Sequence, residues 1–86
     1  MRIYYTKQFI TDAKKYPLYK NQIQEVISKF KKAKSLSEIS NIKKLQSEEN
    51  DYRLSFGNFR IGFSLVDGSI VLKRYLHRKD IYKYFP

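Results

Sequence analysis

The sequence predicts an α+β domain in which two N-terminal helices cover one face of a small antiparallel sheet. Three observations carry that reading. Apolar residues recur at helical spacing in the first third of the chain, as Phe9, Ala13 and Tyr16 and then Ile23, Val26, Ile27, Phe30 and Ala33. From Asp51 to Asp80, apolar and polar residues alternate almost throughout, as a half-buried sheet requires. That stretch is broken by Gly57-Asn58 and Asp67-Gly68, pairs that suit two-residue hairpin turns of the primed type.

The elements follow in order. "RIYY" is a short strand candidate. Thr6 caps a helix over "KQFITDAKKY", with Ile10 beside its apolar face, and Pro17 ends it. A second helix runs from about Leu18, with Lys29, Lys31, Lys32 and Lys34 near its C-terminal end, where cations suit the helix dipole. "SLSEIS" is a connector or one helical turn, "NIKKLQ" a short strand or loop, and "SEEND" an acidic turn. Three strands fill 51–77. The closing "RKDIYKYF" is too short to stand alone as a helix and reads as a helical turn or an extended tail on the sheet.

Bulk composition narrows the function classes. The chain has 86 residues, which predicts one domain over 1–86. It has no cysteine, which excludes disulfides and thiolate metal sites, and its single histidine argues against a structural zinc site. No apolar stretch resembles a signal core or a membrane span, so a soluble cytoplasmic protein is expected, with no membrane partner and no cofactor. Eighteen Lys and Arg against eight Asp and Glu give a net charge of +10. Residues 1–51 and 52–86 each carry +5, so the whole domain is basic and its expected partners are polyanions.

Two-residue turns fix the register. Phe56 faces Phe59 and Val66 faces Ser69, and pairing proceeds outward from each turn. Tyr52, Leu54, Phe56, Phe59, Ile61, Phe63, Leu65, Ile70, Leu72 and Leu76 then share the helix-covered face. Arg74 falls on that face as a misfit. The opposite face carries Arg53, Gly62 and Lys73 in one row and Ser55, Arg60 and Tyr75 in the next, with His77 following. Gly62 leaves a shallow floor between two cations, and an anion resting there relieves their repulsion. Wet sheet faces commonly carry such residues for solubility, so alternation alone leaves site and solvated surface equally open.

With "NIKKL", "YRLSFGNFRIGF" and "HRKDIYKYF" in place, the chain resembles the RelE/ParE superfamily of toxins from type II toxin–antitoxin pairs. The resemblance spans nearly the whole chain and lies in the order and spacing of these pieces. It implies a twisted, mainly antiparallel sheet with two helices on one face. RelE-like members cut messenger RNA in the ribosomal A site by activating the ribose 2′-hydroxyl against the adjacent phosphate. The products are a 2′,3′-cyclic phosphate and a 5′-hydroxyl. On that pattern Arg53 matches the basic position after the hairpin tyrosine, and Arg60 the arginine that contacts the scissile phosphate. His77 or Arg78 matches the C-terminal acid/base and phosphate-binding segment, and Tyr82 or Tyr84 the aromatic near the chain end.

Two departures stand out. Ser55 occupies a position where RelE proper has a second basic residue, and Glu48, Glu49 and Asp51 precede the strand without matching a base. His77 is expected to fill that gap, Arg60 and Lys73 to stabilise the phosphorane, and Tyr75 or Tyr82 to stack on a base. The implied partners are a cognate antitoxin with an acidic segment, the ribosome with its messenger, and operator DNA reached through the antitoxin. The expectation is thus a ribosome-dependent mRNA endonuclease. Two alternatives stand beside it: a ParE-like inhibitor of DNA gyrase without nuclease activity, and an inactive basic binding relative.

Overall fold

A computed structural model describes residues 1–86 apart from Glu48. The order is β1 (Ile3–Tyr5), α1 (Lys7–Lys15), α2 (Lys20–Lys32), β2 (Ile42–Lys44), β3 (Asp51–Phe56), β4 (Phe59–Val66), β5 (Ser69–His77) and α3 (Arg78–Tyr84). Single 3₁₀ turns occupy Pro17–Tyr19 and Leu36–Glu38. The strands form one sheet in the order β1-β5-β4-β3-β2. Among the described residues only the β1–β5 pairing is parallel, so the sheet is mainly antiparallel.

Local chemistry explains the boundaries. The Thr6 hydroxyl accepts the Phe9 N–H at 3.1 Å and caps α1. Pro17 lacks an N–H and opens the 3₁₀ turn instead of continuing the helix. Asp67 and Gly68 both have positive φ, 48° and 79°, as a type I′ turn demands. At the other hairpin Gly57 alone is positive, at 57°. Phe9, Ile23 and Phe30 from the two long helices meet Leu54, Ile61, Phe63, Ile70, Leu72 and Tyr75 in the main core. Rings dominate that core: Phe30 meets Phe63 edge-on at 5.1 Å, and Tyr52 stacks on Phe63 at 5.4 Å.

The first hairpin has the expected register, from Phe56 opposite Phe59 to Asp51 opposite Ser64. The second keeps it only as far as Phe63 opposite Leu72, then slips by one residue. Beyond the slip Gly62 faces Arg74, Ile61 faces Tyr75, Arg60 faces Leu76 and Phe59 faces His77. Lys73 is the extra residue of a β-bulge. Because strand side chains alternate, one extra residue exchanges the faces of everything that follows. Tyr75 therefore enters the main core rather than the open face, and Leu76 leaves that core for the other side. Arg74 is no longer a misfit.

An ionic contact fixes the bulge. β1 ends at Tyr5, so the outer edge of β5 lacks a strand partner from Lys73 onward. Asp12 of α1, only 6% exposed, covers that edge. Its carboxylate accepts the Tyr75 N–H at 3.0 Å and the Arg74 guanidinium at 2.8 and 3.2 Å. The bond to Asp12 raises the guanidinium pKa further above its ordinary value, against the opposing effect of burial.

The short C-terminal segment is a helix because it has its own apolar support. Ile81 and Phe85 join Leu45 and Leu76 in a second buried cluster, on the face away from α1 and α2. Phe85 lies over Gly62, where a Cβ would come within 2.5 Å of the ring. The floor expected between two cations is thus filled by an aromatic ring.

Candidate functional site

The open face left beside α3 carries a small concavity of about 150 Å³ lined by Lys43, Arg53, Ser55, Arg60 and Tyr82. Each residue arrives by a separate piece of register. Arg53 stands at the centre of β3, with Lys43 of β2 opposite it. Ser55 and Arg60 face each other across the β3–β4 hairpin. The Ser55 N–H donates to the Asn41 carbonyl at 3.0 Å, which extends the β2–β3 contact past the last paired strand residue. Tyr82 reaches in from α3, with its ring 4.4 Å from the Arg53 guanidinium carbon.

The cations are held in place and only partly satisfied. Arg60 donates from Nη1 to the Gly57 and Phe59 carbonyls at 3.0 and 2.8 Å, which ties the side chain to the turn. A guanidinium has five N–H donors, so that tie occupies a minority of them. The Nε of Arg53 is buried and has no hydrogen-bond partner among the described residues. Among the described residues no carboxylate lines the concavity, while three cationic side chains do. Like charges brought this close repel, and an anion bound between them turns the repulsion into attraction.

The remaining expected site residues are placed elsewhere. Tyr75 is 0% exposed, stacked on Phe59 and Phe56 at 5.0 and 5.7 Å, and cannot meet a base. Lys73 sits at the bulge and does not line the concavity. Tyr84 lies on the far side of α3, with its ring 5.3 Å from the Arg74 guanidinium carbon. His77 is opposite Phe59, edge-on to that ring at 5.5 Å. Its Nδ1 accepts the Lys79 N–H at 3.1 Å and so caps α3. That bond assigns the proton of the neutral ring to Nε2. Arg78 is exposed at the first position of α3, where its N–H donates to the Asn58 carbonyl at 2.8 Å.

Among the carboxylates considered as bases, Asp51 is buried and bonded to Ser64 and Ser47. It fastens the start of β3 and does not line the concavity. Glu48 lies outside the described residues. Sequence reasoning missed Lys43. The signal was available: once "NIKKLQ" is a strand paired with β3, Lys43 falls opposite Arg53.

Comparisons with known proteins bear on the family and the fold. No family model matches the chain. It is 36% identical over 88 residues to Toxin RelE3 of Methanocaldococcus jannaschii, with 100% of both chains covered. A RelB-RelE antitoxin-toxin complex from Methanococcus jannaschii contains a similar chain, with TM-score 0.82, 36% identity, and 96% of this chain and 99% of that one covered. YafQ from E. coli strain BL21(DE3) has the same fold, with TM-score 0.75 at 18% identity, covering 95% of this chain and 99% of that one.

Proposed function

The chain belongs to the RelE family of type II toxins, and on that premise we propose that its open sheet face is a ribosome-dependent mRNA endonuclease site. The observation that carries the reading is the concavity shared by Lys43, Arg53, Arg60 and Tyr82, with three cations and, among the described residues, no carboxylate. In the reaction the ribose 2′-oxygen loses its proton and attacks the adjacent phosphorus. The bond to the 5′-oxygen breaks, and that oxygen takes a proton. A 2′,3′-cyclic phosphate and a 5′-hydroxyl result, with no cofactor consumed.

The extra negative charge develops on the non-bridging phosphate oxygens. Arg60, already tied to the turn, and Arg53, with its unpartnered Nε, supply fixed donors for it. Lys43 adds the point charge that Ser55 does not provide. Tyr82, which is 71% exposed, offers a face for stacking. His77 acts as a positioning residue, because its cap holds α3 and hence Tyr82. Arg78 extends the positive rim toward the RNA backbone. Alignment of the 2′-oxygen on the ribosome supplies much of the rate.

The partner is a cognate antitoxin, as in the RelB-RelE complex of its relative. An acidic segment, disordered until bound, suits these cations. Cell-free translation tests the reading. Arg60→Ala is expected to lower inhibition about 100-fold or more, and Lys43→Ala about tenfold. His77→Ala weakens inhibition while His77→Asn, which restores a cap, recovers it. A His77→Asn protein as poor as His77→Ala assigns the imidazole to the chemistry instead.

A further inference from the structure

A second concavity, of about 400 Å³, adjoins the first on the open face, and Lys43, Arg53 and Tyr82 line both. Its other walls differ in chemistry. Leu45 and Phe85 are buried members of the second apolar cluster and form a wall together with Pro86. Lys44 and Gln46 are exposed at the rim. The concavity thus runs from a side with Lys43, Arg53 and Tyr82 to a side where Leu45, Phe85 and Pro86 meet the Lys44 ammonium and the Gln46 carboxamide.

We infer that this second concavity is a subsite for one unpaired nucleobase, the one beside the phosphate held by Lys43, Arg53 and Arg60, with Gln46 reading its edge. The inference rests on the nuclease reading above and names where its sequence preference comes from. A strand whose phosphate is held between Arg53 and Arg60 carries its neighbouring base past Tyr82, the wall the two concavities share. Single-stranded RNA is recognised by stacking splayed bases on aromatic rings and bonding their edges. The Tyr82 ring supplies a face, and Leu45 with Phe85 supplies an apolar wall that suits a flat ring and not a phosphate or a carboxylate. Lysine donates to any acceptor and discriminates little. A carboxamide both donates and accepts, so its bond with a base edge depends on which base is present. An acidic protein segment matches the cation concavity better, because the Leu45–Phe85 wall offers it no charge.

The test is a cleavage profile. Wild type, Gln46→Leu and Arg60→Ala act on ribosomes translating a message that samples every codon, and cuts are mapped by primer extension. Wild type is expected to favour one base at one position flanking the cut by about tenfold. Gln46→Leu flattens that preference to within about twofold, and Arg60→Ala lowers all cuts alike. Gln46 is exposed, so the variant folds, which circular dichroism checks. Wild-type cuts with no flanking preference, or a preference that survives Gln46→Leu, overturn the subsite and leave the nuclease intact. No wild-type cuts overturn the nuclease reading and the subsite with it. Weaker antitoxin binding by Gln46→Leu with an unchanged cut profile assigns the concavity to the antitoxin and also overturns the subsite.

Discussion

Tyr75 carries a hydroxyl into a core built of aromatic rings. Its ring stacks on Phe56 and Phe59 and meets Tyr16 edge-on. Its hydroxyl is buried without a hydrogen-bond partner among the described residues. Burial first, and the nearby Tyr19 second, push its pKa up to about 12. The folded state therefore keeps a proton that the unfolded state releases near pH 10. Stability is unaffected below that value and falls as pH rises from 10 through 12, by about 2–3 kcal/mol in all. Denaturant melts across this range are expected to show the loss in wild type and not in Tyr75→Phe. At neutral pH the same variant is expected to be as stable as wild type or more so, because it removes a desolvated hydroxyl that forms no bond. A Tyr75→Phe protein destabilised at pH 7 by more than about 1 kcal/mol contradicts this placement.

At the scale of elements, one bulge decides which residues belong to the site. The turns, the capped helices and the first hairpin were legible because each rests on local chemistry: Thr6 before an apolar helix, Asp67-Gly68 with positive φ, Phe56 opposite Phe59. The slip after Leu72 was not legible, because it is set by Asp12, which lies 62 residues before Arg74 in the chain. Arg74 on the apolar face was the one sequence signal, a charge where the register wanted a hydrophobe. Following it would have moved Tyr75 inward and Leu76 outward. The same slip explains why α3 could not be settled from sequence, since its support comes from Leu76 and Leu45 on the face that the unbulged register left polar. Asp12→Ala is expected to destabilise the fold by about 2–4 kcal/mol, because it strands the Tyr75 N–H and the Arg74 guanidinium together. Asp12→Asn, which still offers an acceptor, costs less. Chemical denaturation of the two variants checks the order.

At the scale of the whole molecule, charge is the dominant property. The chain carries +10, and among the described residues Asp12–Arg74 is the one ion pair. Nearly all of the cations therefore face solvent or a partner, and their repulsion is relieved only on binding. Association with the antitoxin is expected to slow by tenfold or more between about 50 mM and 500 mM salt, measured by stopped-flow, because exposed charges steer the encounter. A rate constant that does not change with salt assigns recognition to the apolar surfaces instead.

The same cations bear on the central claim, that the Lys43–Arg53–Arg60 concavity cuts messenger RNA. The most direct measurement is end-group analysis of a reporter message after incubation with purified protein, with and without translating ribosomes, for wild type and Arg60→Ala. Cuts that need ribosomes, fall in phase with codons, end in a 2′,3′-cyclic phosphate and vanish in Arg60→Ala are the expected result. Intact message with wild type, or equal cutting by Arg60→Ala, contradicts the claim.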